Sequence, residues 1–366
     1  MPPPTLTRRD LNRATLARQL LLQRSPLSII EAVEQVAGLQ AQIPNPPYIG
    51  LWTRLETFQR DDLTRLMEAR QIVRAAMMRS TLHLVTAEDH QRWRSTLQAA
   101  LVRALGAFFG QRGKGLDIEA LVEAAREYLE AEPRSTGDLS KRLLEVQPGR
   151  DKDALAYAVR AYLPLVQVPP GGTWGTGSAA TYTTARAWLG GDPQPDDVRE
   201  LLWRYLRAFG PASVKDFQFW SGLVKMGDVI EPLKNELVIY RDEQGRELLD
   251  LPGMPLPGGD APAPLRFIPE YDNLLIAHDD RTRVLADEDY SKVFLSAGRV
   301  LGTILVDGFV SGIWKVGREK KAATLVIEPF RPLAPDDRAG LAAEGERLLH
   351  FIEDKATDYT VRFGGS

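Results

Sequence analysis

The 366-residue sequence contains no cysteine, which excludes disulfide bonds, thiolate metal sites and a cysteine nucleophile. It also lacks an apolar run long enough to span a bilayer, and its first residues, MPPPTLTRRDLNR, lack the apolar core of a signal peptide. Only four histidines are present, and none of them follows HExxH-type metal spacing. We therefore expect a cytoplasmic protein with no membrane partner, no metal and no cofactor.

Common catalytic signatures are missing as well. There is no GxSxG nucleophile elbow and no Walker-type phosphate loop. The glycine-rich run GGTWGTG (residues 171–177) does not lie between a strand and a helix, which favours a hairpin tip over a nucleotide site. The HDDRTR stretch offers His278, Asp279 and Asp280 as metal ligands, but a charged turn held by Asp–Arg pairs is the preferred interpretation.

An amine nucleophile is also disfavoured. Schiff-base chemistry needs an amine with a depressed pKa. The first third of the chain has one lysine, Lys114, in a glycine-rich loop, and Pro2 would supply an amine only after removal of Met1 from what resembles a flexible tail. We therefore expect no strand cleavage by a lyase mechanism.

Amphipathic helices, breaks and strand pairs recur along the chain. The segment DDVRELLWRYLRAFG predicts a helix ending at Gly210, and PASVKDFQFWSGL predicts a second helix that starts near Ser213. Two apolar strands then flank a hairpin turn at residues 242–245. Helix, turn, helix, helix and hairpin is the order of a winged helix.

Two further segments follow the same order. We predict an α+β fold that is mainly α, with three tandem winged-helix motifs and a small β-rich C-terminal module that ends in a helix. The predicted boundaries are residues 1–116 (first module), 117–192 (second module), 193–255 (third module) and 256–366 (C-terminal module). Within the last of these, hairpin turns are predicted at residues 307–308 and 317–318, and the second helix of the second module at Thr136.

The first module contains an unusual pair of glutamines. Its second helix is predicted to begin at Ser25 and Pro26 and to continue to Gln40, before Pro44 stops it. Beyond a helix end the backbone becomes extended, so Gln40 and Gln42 would share one face. Amide groups accept and donate hydrogen bonds but take up no proton, so such a pair suits only a reaction with an activated leaving group. Spacing alone favours the simpler interpretation, in which both residues cap the helix or face solvent.

Four blocks of sequence resemble the AlkZ/YcaQ group of winged-helix DNA glycosylases. They are LNRATLARQLLL…AVEQVAGLQAQIPNPPYIGLWTRL, MMRSTLHLVTAED, YLRAFGPASVKDFQFWSGL and PEYDNLLIAHDDRTR, which occur in this order over nearly the whole chain. Gln40-Ala41-Gln42 stands at the position of the group's Gln–apolar–Gln catalytic motif. The YcaQ branch has Asp at the second motif position, so Gln42 points to the AlkZ branch.

The resemblance implies a monofunctional glycosylase that removes alkylated, cationic purines, with Gln40 and Gln42 as catalytic residues. Members of the AlkZ branch also unhook interstrand crosslinks, including those of azinomycin-type compounds. The implied partner is double-stranded DNA that carries such lesions, and we expect a monomeric enzyme. The alternative is a non-enzymatic winged-helix DNA-binding protein, such as a regulator or damage sensor, because fold alone does not fix function.

The distribution of charge indicates where DNA would bind. Residues 1–116 contain 16 Lys and Arg against 9 Asp and Glu, a balance of +7, although the whole chain carries −3. Basic residues would contact phosphates, and binding would weaken with salt. The candidate DNA-binding residues are Arg8, Arg9, Arg13, Arg74 and Arg79, with His83 lining the cleft. Glu31 and Glu34 would be the carboxylates of a third candidate, a hydrolase of another glycoside, but they are expected on a solvated helix face.

Overall fold

The structure, a computed structural model, describes residues 3–177, 179–194 and 197–364. Within the ranges predicted for the first two modules, residues 1–116 and 117–192, helices alternate with short strands. The first module contains β1 (Thr5–Leu6), α1 (Arg8–Arg18), α2 (Ile29–Gln35), β2 (Leu39–Gln40), α3 (Pro46–Arg54), α4 (Arg60–Glu68), β3 (Ile72–Ala76), β4 (Leu82–Thr86), α5 (Ala87–Thr96) and α6 (Gln98–Phe109). The second contains α7 (Ile118–Ala131), β5 (Arg134–Ser135), α8 (Thr136–Val146), α9 (Lys152–Tyr162), β6 (Leu165–Val168), β7 (Thr181–Thr184) and α10 (Ala185–Leu189).

The range predicted for the third module is mostly helical, and the range predicted for the C-terminal module is rich in strands. The third module contains α11 (Val198–Phe209), α12 (Val214–Ser221), α13 (Gly227–Ile230), β8 (Val238–Asp242) and β9 (Glu247–Asp250). The C-terminal module contains β10 (Arg266–Ile268), α14 (Asn273–Ile276), α15 (Tyr290–Val293), β11 (Thr303–Val306), β12 (Phe309–Glu319), β13 (Ala322–Pro329), α16 (Pro335–Ile352) and β14 (Asp358–Phe363). The predicted α+β class is confirmed, and no helix among the described residues is both long and apolar enough to cross a bilayer.

The sheets connect the modules. A six-stranded sheet in the order β2-β4-β3-β6-β7-β5 runs through the first and second modules, and its bridge is the antiparallel pair β3–β6. Strand β1 lies parallel to β8, so the start of the chain extends the hairpin of the third module. The C-terminal module has its own five-stranded sheet, β10-β11-β12-β13-β14. Strand pairing therefore joins the first module to both the second and the third.

The largest apolar core lies between modules. It includes Trp93 from α5, Leu101 from α6, Tyr205 and Phe209 from α11 and Trp220 from α12, all nearly or fully buried. The rings of Tyr205 and Trp220 lie 5.1 Å apart between centroids, within the range for favourable aromatic pairs. Helices of the first module thus pack directly on those of the third.

Buried ion pairs reinforce the contacts between modules. Arg18 of α1 binds Asp250 of β9 through two hydrogen bonds of 2.7 Å. Arg54 of α3 binds Asp272, just before α14, at 2.8 and 2.7 Å. These four side chains are buried, so each charge depends on its partner for the solvation that it has lost.

Three predicted helix limits in the first and second modules are wrong. Helix α2 begins at Ile29 with Ser28 as its N-cap, where Ser28 and Glu31 form a capping box that the sequence already contains. It ends at Gln35 and not at Gln40, because Ala37 and Gly38 take positive φ angles of 57° and 82°. In the second module Ser135 and not Thr136 caps α8.

Other elements were missed or displaced. Helix α3 was not predicted, although Pro46 at its first position is a helix-start signal. The predicted turn at residues 307–308 is confirmed, whereas the one at 317–318 is wrong because β12 continues to Glu319. The chain does not end in a helix: β14 follows α16 and pairs in parallel with β13.

Candidate active site

The two glutamines lie where the chain leaves α2 and enters the sheet. Gln40 is the last residue of β2, opposite His83 of β4, and the Ala41 amide donates to the Leu82 carbonyl. The backbone is therefore extended at Gln40, as required if residues two apart are to share a face. Gln42 opens the bend that leads into α3.

The two side chains differ in exposure. Gln40 is 9% exposed, and its Oε1 accepts a hydrogen bond of 2.7 Å from Nη2 of Arg79. A guanidinium only donates, so the oxygen of the Gln40 amide must face Arg79 and the amide nitrogen must face away. That nitrogen has no partner within the described residues and stays in contact with solvent. Gln42 is exposed, and its amide makes no hydrogen bond within the described part of the chain.

Arg79 is half-buried and holds the Gln40 amide, and its contact with DNA stays a prediction. Its second terminal nitrogen donates to the Trp220 carbonyl at 3.0 Å, which ties the site to the end of α12. Burial lowers the pKa of Arg79 to about 10, so the side chain remains charged at neutral pH. Arg79 and Ser80 both take positive φ angles, 53° and 58°, in the turn between β3 and β4. Two such angles outside glycine cost roughly 1–3 kcal/mol each.

Arg74 supports the same segment from the other side. Its Nε donates to the Ala41 carbonyl at 2.9 Å, one terminal nitrogen donates to the Gln42 carbonyl at 3.3 Å, and another bonds to the Gln167 side chain. Arg74 is 5% exposed, and burial lowers its pKa. It therefore holds the backbone of the motif, and its contact with DNA phosphate stays a prediction.

Two more candidates, Arg13 and His83, lie inside the protein. Arg13 is fully buried, where it bonds to Asp307 and donates to the Ala261 carbonyl, and its contact with DNA stays a prediction. His83 is also fully buried and does not line an open cleft, although its strand position places it beside Gln40. Burial and the nearby charge of Arg79 lower the pKa of His83 to about 3, so its ring is neutral.

Arg8 and Arg9 are exposed, and their contact with DNA stays a prediction. Arg9 already pairs with Asp307 at 2.6 Å, while the Arg8 side chain borders a cavity of about 390 Å³ beside the β8–β9 hairpin. Neither residue contacts the glutamines. Pro2, the possible amine nucleophile, lies outside the described residues.

The other candidate groups have structural roles. Asp279 and Asp280 pair with Lys215 and Arg246, as expected of a charged turn, and His278 is buried. Within residues 3–177, 179–194 and 197–364, no cluster of three metal-binding side chains occurs. Glu31 bonds to Ser28 in the cap of α2, which lowers its pKa and removes it from any catalytic pair.

The glycine-rich loop of the second module was expected to be a hairpin tip, and it joins β6 to β7. It packs beside the motif, which the sequence did not indicate. The Gly175 amide donates to Oδ1 of Asn45 at 2.9 Å, three residues after Gln42. Trp174 packs against Tyr48 of α3, with 5.5 Å between ring centroids. The segment after Gln42 is thus held by the second module.

Replacing Arg79 by Ala should reduce the rate of base release about tenfold to a hundredfold, because a displacement near 1 Å can have such an effect. The loss should fall on kcat with KM little changed, and Arg79→Lys should retain part of the rate. The measurement is single-turnover release in a double-mutant cycle with Gln40→Ala. Arg79→Ala should have little further effect in the Gln40→Ala background, whereas additive losses would show that Arg79 acts independently of Gln40.

Stability should fall as pH decreases from 7 to 5. Burial lowers the pKa of His83, His90 and His278 from 6.5 to about 3, so the unfolded chain binds more protons between these values. Their stabilisation is complete above pH 6.5 and is lost as pH falls towards 3. Asp89, with its pKa raised by burial to about 6, opposes this between pH 6 and 3.8, but three histidines outweigh it.

Thermal unfolding at pH 7.5, 6.5, 5.5 and 4.5 measures this effect. The melting temperature of His90→Phe should depend less steeply on pH, because the variant lacks one of the three buried histidines. It should lose no hydrogen bond, since neither ring nitrogen of His90 has a partner within the described residues. A melting temperature that is unchanged between pH 7.5 and 5.5 would contradict the prediction.

The chain is similar to known proteins in both sequence and fold. Residues 33–351 match the family described as DNA glycosylase AlkZ-like. A relative from Streptomyces sahachiroi, named interstrand DNA cross-link repair glycosylase, is 24% identical over 343 residues, which cover 86% of this chain and 88% of the relative. The solved structure of Streptomyces sahachiroi DNA glycosylase AlkZ superposes with a TM-score of 0.80 at 20% identity, over 98% of this chain and all of the other. Since the family match spans most of the sequence, the chain belongs to the AlkZ-like DNA glycosylase family.

Proposed function

We propose that this DNA glycosylase hydrolyses the N-glycosidic bond of purines that alkylation has made cationic, with Gln40 and Gln42 as its catalytic residues. The observation that carries the proposal is the pair of amides itself. One is fixed by a half-buried guanidinium and the other is free at the surface. Neither amide takes up a proton near neutral pH, so neither activates a poor leaving group.

The lesion would supply the missing activation. When the bond between the anomeric carbon and the purine breaks, its electron pair moves to the base and cancels the positive charge, so the base needs no acid. The sugar gains oxocarbenium character and is attacked by water, whose proton passes to solvent. What the protein must provide is a positioned water and dipoles directed at the developing charge.

The two glutamines would divide this work. Because Oε1 of Gln40 faces Arg79, its amide nitrogen is a donor towards solvent and can orient the water or a sugar oxygen. The Gln42 amide is free to rotate, so its oxygen can accept a hydrogen bond from that water and face the positively charged sugar. An unmodified guanine would have to depart as an anion, which is a poor leaving group, so it would not react at this site. Selectivity then arises from the chemistry of the lesion.

The wider proposal concerns fold and partners. Three tandem winged helices would hold a DNA duplex against the motif, with Arg8 and Arg9 as exposed phosphate contacts. The name of the Streptomyces sahachiroi relative supports crosslinked purines as further substrates. We propose a monomer that acts on DNA in the cytoplasm, without lyase activity.

A base-release assay tests the function. Duplex DNA with one 7-methylguanine is incubated with the protein and then treated with alkali, which cleaves abasic sites, and an identical duplex with guanine is the control. Alkali-dependent breaks in the first duplex alone are expected, and breaks without alkali would contradict a monofunctional enzyme. Binding without release from any alkylated duplex would favour the non-enzymatic alternative.

The rate of release should change little between pH 7 and 9, because the amides of Gln40 and Gln42 do not titrate and the pKa of Arg79 is about 10. Single-turnover rates across this range measure the effect. A rate that rises about tenfold per pH unit would indicate a general base and would exclude a mechanism with two neutral amides.

A further inference from the structure

A cleft of about 490 Å³ begins at the residue after Gln42. One wall is formed by Ile43 together with Pro46 and Ile49 of α3. The other is formed by Ile313 and Trp314 of β12 together with Leu301, which precedes β11. This volume lies within the range of small-molecule sites. It is far larger than the methyl group of a simple lesion needs.

Part of the apolar lining stays accessible to solvent. Ile43 is 37% exposed and belongs to no core cluster within the described residues. Leu301 is only half-buried. Apolar area exposed to water is unfavourable, so an apolar cleft beside the glutamine pair marks a site of binding.

The aromatic wall is fixed. Nε1 of Trp314 donates to the Ile268 carbonyl at 2.9 Å, and its ring meets that of Phe267 edge-on at 5.9 Å. Gly302 lies against the indole so closely that an added Cβ would approach within 2.9 Å of the ring. The tryptophan is thereby held against the backbone, and such a rigid ring suits a flat ligand at low entropic cost.

The charges at the rim argue against a phosphate strand. Arg299 lies 3.6 Å from Glu270, and Lys315 lies 2.6 Å from Glu328. Both cations are therefore paired and the rim has no net charge. A groove for the DNA backbone would carry unpaired positive charge. The occupant should be neutral and apolar.

We infer that this cleft is a subsite for an apolar, aromatic substituent carried by the alkylated base. The inference rests on the proposed function, since the lining of the cleft begins at Ile43, the residue that follows Gln42. The subsite distinguishes large adducts from small ones. It contributes binding energy remote from the bond that breaks.

Two substrates and two variants test this inference. The substrates are duplexes with 7-methylguanine or 7-benzylguanine, and the variants are Ile43→Ser and Ile313→Ser. Val224→Ser is the matched control, because Val224 is 50% exposed and does not line the cleft. Each cleft variant should lower kcat/KM for benzylguanine about tenfold, the order expected for lost apolar contacts, and change that for methylguanine less than about twofold.

The outcomes separate the two proposals. Equal losses on both substrates, or no loss on benzylguanine, would overturn the subsite. Wild-type protein that releases methylguanine but not benzylguanine would overturn the subsite and leave the proposed function intact. Release of neither base would overturn the proposed function and the subsite with it. Matching thermal melts of the variants establish that they remain folded.

Discussion

Gln42→Ala is expected to release 7-methylguanine about a hundredfold more slowly than the wild type, which is the order of loss when one preorganised polar group is removed from an active site. The side chain is exposed and makes no hydrogen bond within the described residues, so the folded state should be unaffected. Gln40→Ala should slow release similarly. It should also destabilise the protein, because Nη2 of Arg79 would lose its acceptor.

Single-turnover release and thermal unfolding measure the two effects together. Gln71→Ala is the matched control, because Gln71 is an exposed glutamine in the same module and its side chain makes no hydrogen bond within the described residues. Release that is as fast in Gln42→Ala as in Gln71→Ala would remove Gln42 from the mechanism. In Gln42→Ala, a melting temperature that falls with the rate would instead attribute the loss to misfolding.

Asp272→Asn should lower the free energy of unfolding by about 3–5 kcal/mol, the usual loss when one partner of a buried ion pair is removed. The guanidinium of Arg54 is fully buried and would keep its charge without a counterion. Asparagine also turns an amide NH₂ towards a group that only donates. Because Arg54 belongs to α3, which follows the motif, catalytic activity should fall as well.

Denaturant unfolding of Asp272→Asn and Asp62→Asn provides the comparison. Asp62 pairs with Arg65 on the surface of α4, and both side chains are largely exposed. Such a pair contributes about 0–1 kcal/mol, so Asp62→Asn should be nearly neutral. Similar losses in the two variants would show that burial of the Arg54–Asp272 pair has no special energetic role.

Helices and turns were predictable where a capping residue and the spacing of apolar residues indicated the same limits. Ser213 and Gly222 mark the ends of α12, and the hairpin turn after β8 lies at the predicted residues. The end of α2 was not predictable, because Ala37 takes a positive φ that its sequence does not indicate. The strand conformation of Gln40 depends on pairing with β4, more than 40 residues later in the chain.

The arginines show a second limit of sequence reasoning. Counting charge suggested a basic face, but five arginines of the first module are buried: Arg13, Arg18, Arg54, Arg74 and Arg94. They bond to carbonyls and carboxylates, most of them distant in the chain. Composition does not distinguish a guanidinium that faces solvent from one that joins two modules. The glutamine pair could be proposed from the sequence, whereas the supporting roles of Arg74 and Arg79 required the fold.

The sheet that runs through the first two modules has a consequence for cooperativity. Strands β3 and β6 exchange hydrogen bonds, so melting either module would strip the other of its neighbouring strand. Local opening free energies of the two should therefore converge, and amide hydrogens on both strands should exchange with solvent at similar rates. The segment that carries Gln40 and Gln42 is thus expected to open together with a cooperative unit larger than the first module.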